Sequence, residues 1–203
     1  MTNYESTFWD DRYSTKEYVY GTEPNQFFKE QLQKINPFGR LLLPGEGEGR
    51  NAVFAAKLGW VVDAFDQSLV GKAKAQKLAQ VNNVKINYST SDLSTFNLQK
   101  DLYDCAAIIF VHLPSEIRSG FHRKIIESIK PKGKVILELF SKNQLGKNSG
   151  GPQNLDMLST VEDIKNDFLD IKIKFLKEEI IFLNEGENHS GEANVIRFVG
   201  EKV

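Results

Sequence analysis

Three glycines set two residues apart, Gly45, Gly47 and Gly49, follow the apolar run Arg40-Leu-Leu-Leu-Pro44 and precede a helix-forming segment. Lacking Cβ atoms, such glycines can take positive φ angles and bring backbone amides against a ligand at a helix N-terminus. The turn is therefore read as the floor of a nucleotide-type pocket, although glycines also mark ordinary strand-to-helix turns. Asp66 lies 21 residues beyond Gly45, at the end of a second apolar run, Trp60-Val-Val-Asp-Ala-Phe-Asp66. In a mononucleotide-binding βαβ unit an acid at about that distance accepts hydrogen bonds from the two ribose hydroxyls. Its bland alternative is to cap the helix that begins near Ser68.

The remaining reactive side chains are few. Cys105 sits within an apolar run and is read as a buried, inert thiol. His112, in Phe110-Val-His-Leu-Pro114, follows the fourth strand and is the best-placed base, with a backbone hydrogen bond at the strand end as its alternative role. His189, in a turn, and His122, on a helix, are expected at the surface. No His/Cys cluster suits zinc, so no metal is expected. Arg12 and Tyr20 could orient an anionic substrate or a cofactor carboxylate.

These residues need elements to position them. The segment 51–58 is rich in helix formers and stops at Gly59, a natural C′ residue. A helix is expected over Ser68–Val81, a strand over Val84–Tyr88, a loop over Ser91–Asn97 with Asp92 where the third strand gives out, and a strand over Leu102–Val111. A helix over Ser115–Ile129 and a fifth strand over Gly133–Phe140 follow. This alternation implies a parallel sheet covered on both faces, with its ligand beyond the carboxyl ends of the strands where strand order reverses.

The last third breaks the pattern: Ile171–Leu183 and Asn194–Val203 read as strands joined by Asn184–Gly191, without a helix between, and should form an antiparallel hairpin. Before it come a polar loop, Ser141–Asp156, read as a lid or a plain surface loop, and a helix from about Ser159 to Leu169 with a Ser159/Glu162 capping box. Aromatic residues concentrate ahead of the first strand, in Phe8–Tyr13 and Tyr18–Asn25, and either pack on the sheet edge or cover the pocket.

With 203 residues, 40% of them hydrophobic, one α/β domain is the economical reading: a cap segment over 1–36, a binding core over 40–140, and a loop, helix and hairpin over 141–203. A formal charge of −1 argues against nucleic acid or an anionic membrane surface as partner. No apolar run approaches the roughly 20 residues that span a bilayer, and the N-terminus lacks a signal-peptide layout. A cytoplasmic protein, monomeric or weakly homodimeric, is expected.

A doubly wound, Rossmann-like seven-stranded sheet, mostly parallel and closed by a C-terminal antiparallel hairpin, with a glycine turn after the first strand and acids after the second and third, resembles the class I S-adenosylmethionine-dependent methyltransferases. The likeness spans nearly the whole chain. Trp9-Asp-Asp-Arg-Tyr13, Tyr20-Gly-Thr-Glu-Pro24, Gly45-Glu-Gly-Glu-Gly-Arg-Asn51 and Val195-Ile-Arg-Phe-Val-Gly200 are similar to the tellurite-resistance and thiopurine S-methyltransferase-like branch.

The resemblance implies S-adenosylmethionine as cofactor, with S-adenosylhomocysteine as product. The Gly45, Glu46, Gly47, Gly49 and Asn51 turn would hold its methionine portion. Asp66, with Gln67 and Ser68, would hold the ribose, and Asp92 with Leu93 the adenine. Phe110 and Val111 would lie beside the cofactor and Tyr20 would reach it. Trp9, Arg12, Tyr13 and His112 would meet a small-molecule acceptor, with His112 as the catalytic base where one is needed. The implied acceptor is a soft nucleophile, a thiol or a tellurium or selenium oxyanion, in detoxification; a non-catalytic S-adenosylmethionine sensor is the alternative.

One departure stands out. The common first motif has an acid two residues before its first glycine, where this chain has Leu43-Pro44. Glu46 either replaces part of that charge or is a solvent-exposed loop glutamate. A nicotinamide dehydrogenase would share the glycine logic, but the hairpin and Asp92 argue against it.

Overall fold

The computed structural model describes residues 4–186 and 188–203. The first three residues of the expected cap segment and Glu187 of the expected hairpin turn lie outside the described residues. The sheet has seven strands, and the chain divides into two compact units, residues 1–96 with 185–188, and residues 97–184 with 189–203.

The first unit contains α1 (Tyr4–Tyr13), α2 (Gln26–Leu32), β1 (Arg40–Pro44), α3 (Arg50–Leu58), β2 (Val61–Asp66), α4 (Leu69–Val81) and β3 (Asn87–Thr90). Its strands run parallel in the order β3-β2-β1, with Leu43 opposite Ala64 and Asp66 opposite Thr90. β1 is buried from Leu41 to Pro44 because helices cover both faces of a parallel sheet. α3 ends where expected: Gly59 takes φ 100° and returns its N–H to Ala55 and Ala56 carbonyls. Ser68 caps α4, its hydroxyl accepting from the Gly71 amide. The third strand starts three residues later than Val84, since Val84 instead closes α4 by donating to the Ala79 carbonyl.

The second unit contains β4 (Tyr103–Ile109), α5 (Ser115–Ser128), β5 (Ile129–Phe140), α6 (Val161–Asp167), β6 (Ile171–Asn184) and β7 (Ser190–Lys202). β4 and β5 are parallel; β5 pairs antiparallel with β7, and β7 with β6, giving the expected hairpin. Strand β7 begins four residues before Asn194, so the hairpin turn is shorter than expected. The capping box of α6 is built from Thr160 and Asp163 rather than Ser159 and Glu162. Ser159 is instead buried in an isolated bridge with Ser141, which fixes the frame one residue later.

Among the described residues no helix is long and apolar enough to cross a membrane.

Candidate functional site

Within the first unit the turn after β1 has the backbone its glycines foretell, with Gly45, Gly47 and Gly49 at φ 61°, 60° and 89°. A side chain at Gly49 would run into Ala75 of α4, its Cβ only 2.6 Å from the Ala75 Cβ, so this glycine lets α3 and α4 close together. A Cβ at Gly47 would stand 2.5 Å from the Tyr13 hydroxyl. Tyr13, at the end of α1, therefore lies directly over the turn, where it stacks on Trp9 with ring centroids 5.4 Å apart. From β3, the Tyr88 hydroxyl donates to the Gly47 carbonyl at 2.6 Å.

The two glutamates of the turn face inward. Glu46 is buried, and its carboxylate accepts the Ala52 amide at 2.7 Å, which caps the first turn of α3. The expectation of a solvent-exposed loop glutamate is thereby corrected: the open N-terminus of α3 supplies donors that a carboxylate can satisfy. Burial pushes Glu46 up to about 7, against the Ala52 amide and Arg50, which pull it down. Glu48 is buried too. It accepts the Val19 amide at 2.7 Å and pairs with Lys74 of α4. The Lys74 ammonium also donates to the carbonyls of Tyr13, Thr15 and Glu17. Glu48 and Lys74 thus clamp the segment after α1 to the glycine turn.

Asp66 ends β2 with both oxygens engaged, accepting the Gly47 amide at 3.0 Å and the Ser68 amide at 2.9 Å. Burial raises it to about 6, helped by the neighbouring Asp10 and opposed by those amides. A carboxylate offers about four acceptor sites, so the amides of Ser68, Gly47 and Gln67 leave capacity for one further donor. Asp10 accepts from the Ser68 hydroxyl and the Val70 amide, so α1 is tied to the start of α4. Gln67 is half-buried.

Arg12 donates to the Tyr20 hydroxyl at 3.1 Å and lies over the rings of Phe8 and Trp9. Asn51 serves the backbone, its side-chain oxygen accepting the Asn25 amide at 2.9 Å. Asp92 bonds the amide and hydroxyl of Ser94, which holds its carboxyl below the ordinary value and shapes the loop after β3; Leu93 beside it is half-buried.

In the second unit the end of β4 carries an aromatic cluster. Phe110 has a left-handed backbone, φ 53°, unusual for a residue with a bulky side chain and typical of strained functional sites. The Glu138 carbonyl, which accepts its amide at 2.7 Å, holds it there. Phe110 stacks on Phe140 at 4.6 Å, and the His112 ring lies on the same Phe140 at 5.4 Å. Val111 is buried.

The Nδ1 of His112 is 3.2 Å from the Met157 carbonyl, so Nδ1 carries the proton and the buried Nε2 is left with a lone pair and no partner. Burial, with His189 nearby, lowers His112 to about 4 and keeps the ring neutral. The backbone bond expected as the bland alternative is therefore present, and it sets the tautomer that a base requires.

Both other histidines correct the sequence expectation of surface positions. His189 is buried edge-on against Phe110 and Phe140. His122 is buried on α5 with its Nδ1 2.8 Å from Asp167. Neither has a local signal: polar neighbours surround His189, and His122 needs the position of α6 to be read. Cys105 is fully buried, and burial pushes its thiol up.

The segment Ser141–Asp156 is pinned by Gln144, which is buried and bonds Ser149, the Gly150 carbonyl and the Asn194 amide of β7. Ser149 donates to the Glu192 carbonyl. The same segment leads to Met157 and so fixes His112.

No curated protein matches the chain. Among solved structures, it is similar to TehB from Haemophilus influenzae, at 16% identity over 98% of this chain and 67% of that one, with a TM-score of 0.73. It is also similar to a protein of echinomycin biosynthesis, from work on the conversion of a disulfide bond into a thioacetal group, at 13% identity over 98% and 92% and a TM-score of 0.77. An S-adenosylmethionine-dependent methyltransferase from Methanosarcina mazei gives 13%, 89% and 99%, with a TM-score of 0.70. At such identities the likeness shows the fold. The family described as tellurite resistance protein TehB matches residues 7–145, and with the glycine turn, the acid closing β2 and the terminal hairpin this makes the chain a member of the TehB family, a class I S-adenosylmethionine-dependent methyltransferase.

Proposed function

We propose that the chain methylates a small, soft acceptor, a thiol or a tellurium or selenium oxyanion, as a cytoplasmic detoxification reaction. The observation that carries this reading is the neutral His112 imidazole, its Nδ1 proton committed to Met157 and its Nε2 lone pair buried without a partner. When bound, S-adenosylmethionine supplies a methyl group already activated on a sulfonium.

The left-handed glycines, the N-terminus of α3 and the spare acceptor site of Asp66 support a site for that cofactor. In this proposal Gly45, Gly47, Gly49 and Asn51 hold the methionine end, with Glu46 and Tyr20 near its charged groups. Asp66, Gln67 and Ser68 take the ribose, Asp92 and Leu93 the adenine, and Phe110 and Val111 the face beside the sulfur. Trp9, Arg12 and Tyr13 contact the acceptor. Arg12 is preorganised by Tyr20 and two aromatic rings, which suits an anionic group on that acceptor.

For a thiol, the S–H bond would give up its proton to Nε2 as sulfur bonds the methyl carbon and the methyl–sulfonium bond breaks, with S-adenosylhomocysteine as the leaving group, and the imidazolium would then return the proton to water. An oxyanion of tellurium or selenium attacks through its lone pair and asks only for positioning, which is worth roughly 7 to 11 kcal/mol in well-oriented reactions.

The test is turnover with methyl-labelled cofactor against thiols, tellurite and selenite. Label transfer to one of them supports the reading. Cofactor binding with no transfer to any of them refutes it.

A further inference from the structure

β6 is a 14-residue strand that pairs with β7 on one side and is the last strand on the other. Proteins blunt such edges with lysines, bulges or short strands. The first half of β6 has these devices, Lys172, Lys174 and an irregularity between Ile173 and Phe175. The second half does not: it continues as a regular strand with Ile180 65% and Phe182 79% exposed, and Phe175 is also exposed.

The charges along this edge alternate in sign, Lys177 followed by Glu179 on the same face. Glu138 of β5, Arg197 of β7 and Lys177 of β6 lie directly opposite one another, so they form one row on one face of the sheet. That row holds one acid and two cations, and Lys177 is its outermost member. Glu179, two residues along β6, bonds both Arg197 and Lys177.

We propose that a second copy of this chain pairs antiparallel with β6 about a two-fold axis through Glu178, extending the sheet across the interface. An axis perpendicular to the sheet preserves its faces, so odd-numbered residues meet odd-numbered ones. In this register Lys177 faces the second copy's Glu179, and the reverse, so opposite charges meet on both sides of the axis. Phe175 faces Ile181, and Leu176 faces the exposed Ile180.

Sliding by two residues either way sets Lys177 against its own copy or Glu179 against its own copy. Those registers are rejected by like-charge repulsion. The cost in the favoured register is Glu178 opposite itself. It is softened because that carboxylate already accepts from the Ser141 hydroxyl and the Asn143 amide group.

Sedimentation of the full chain over a dilution series tests this. Twice the 23.0 kDa chain mass is expected at high concentration, falling to one chain on dilution. Ile180→Lys and Lys177→Glu should each abolish the dimer while methyl transfer and the circular dichroism spectrum stay unchanged. A chain that is monomeric at every concentration overturns the proposal. A dimer that survives both variants overturns it too, because the contact then lies elsewhere. Exchange of the β6 amides gives a second readout: they must slow with concentration in the natural chain and not in Lys177→Glu.

Discussion

Glu46→Gln separates the structural cost of a buried acid from any service to a ligand. The carboxylate sits at the mouth of α3 and its oxygen accepts the Ala52 amide. A glutamine oxygen can accept the same bond, so the capping contact survives the change. What is removed is ionisation. Burial raises Glu46 from an ordinary 4.5 to about 7. The folded chain therefore holds this proton more tightly than the unfolded chain, and its contribution is fully present below 4.5 and lost as pH rises through 7. At about 1.4 kcal/mol per tenfold in proton affinity, the gap is worth about 3 kcal/mol. Urea unfolding at pH 4.5 should give nearly equal stabilities for the two proteins, whereas at pH 8.5 the glutamine variant should be more stable by about 2 to 3 kcal/mol. A difference that does not change with pH would refute the reasoning, because it would mean that the carboxyl ionises alike in both states.

Three further outcomes are expected. Gly47→Ala forces a side chain to φ 60° at about 1 to 2 kcal/mol and drives its Cβ into the Tyr13 hydroxyl, so cofactor binding by calorimetry should be lost and partly recovered in Gly47→Ala/Tyr13→Phe. Asp66→Asn must turn an amide group toward the N–H of Gly47 or Ser68, which costs about 1 to 3 kcal/mol in urea unfolding and weakens the cofactor by a similar amount; unchanged values on both counts would remove Asp66 from the site. For His112, lowered from 6.5 to about 4, native stability should fall by about 2 to 3 kcal/mol as pH drops from 6.5 to 4, and His112→Phe should flatten that part of the profile relative to the natural chain.

Elements whose fate is decided locally could be read from the sequence. Gly59 stops α3 because only a left-handed residue returns the C-terminal amide, and Ser68 caps α4 through its own hydroxyl. The glycine turn and the acid after β2 were legible for the same reason. α2 was missed although Asn25 caps it, its side chain accepting the Phe28 amide. That signal, Asn before Phe27, Phe28 and Leu32, was available. His122 and His189 are expected at the surface from the sequence, and an exposed loop position is one of the two readings of Glu46. Each is buried by something distant or by a helix end: the open amides of α3, Asp167 of α6, and the Phe110–Phe140 pair. The spacing that marks Asp66 says nothing of the three backbone amides it already satisfies.

The Lys74 clamp grips peptide carbonyls at Tyr13, Thr15 and Glu17, never their side chains. Glu48 likewise takes the backbone amide of Val19. Ser14 to Glu17 can therefore drift in identity without loosening this clamp, while Lys74 and Glu48 cannot, and neither can Tyr18, whose hydroxyl donates to the Lys74 carbonyl and whose ring lies under the Lys74 ammonium. Anchorage from Ser14 to Glu17 is carried by the backbone. Substitutions from Ser14 to Glu17 would leave the course of the chain over the glycine turn intact.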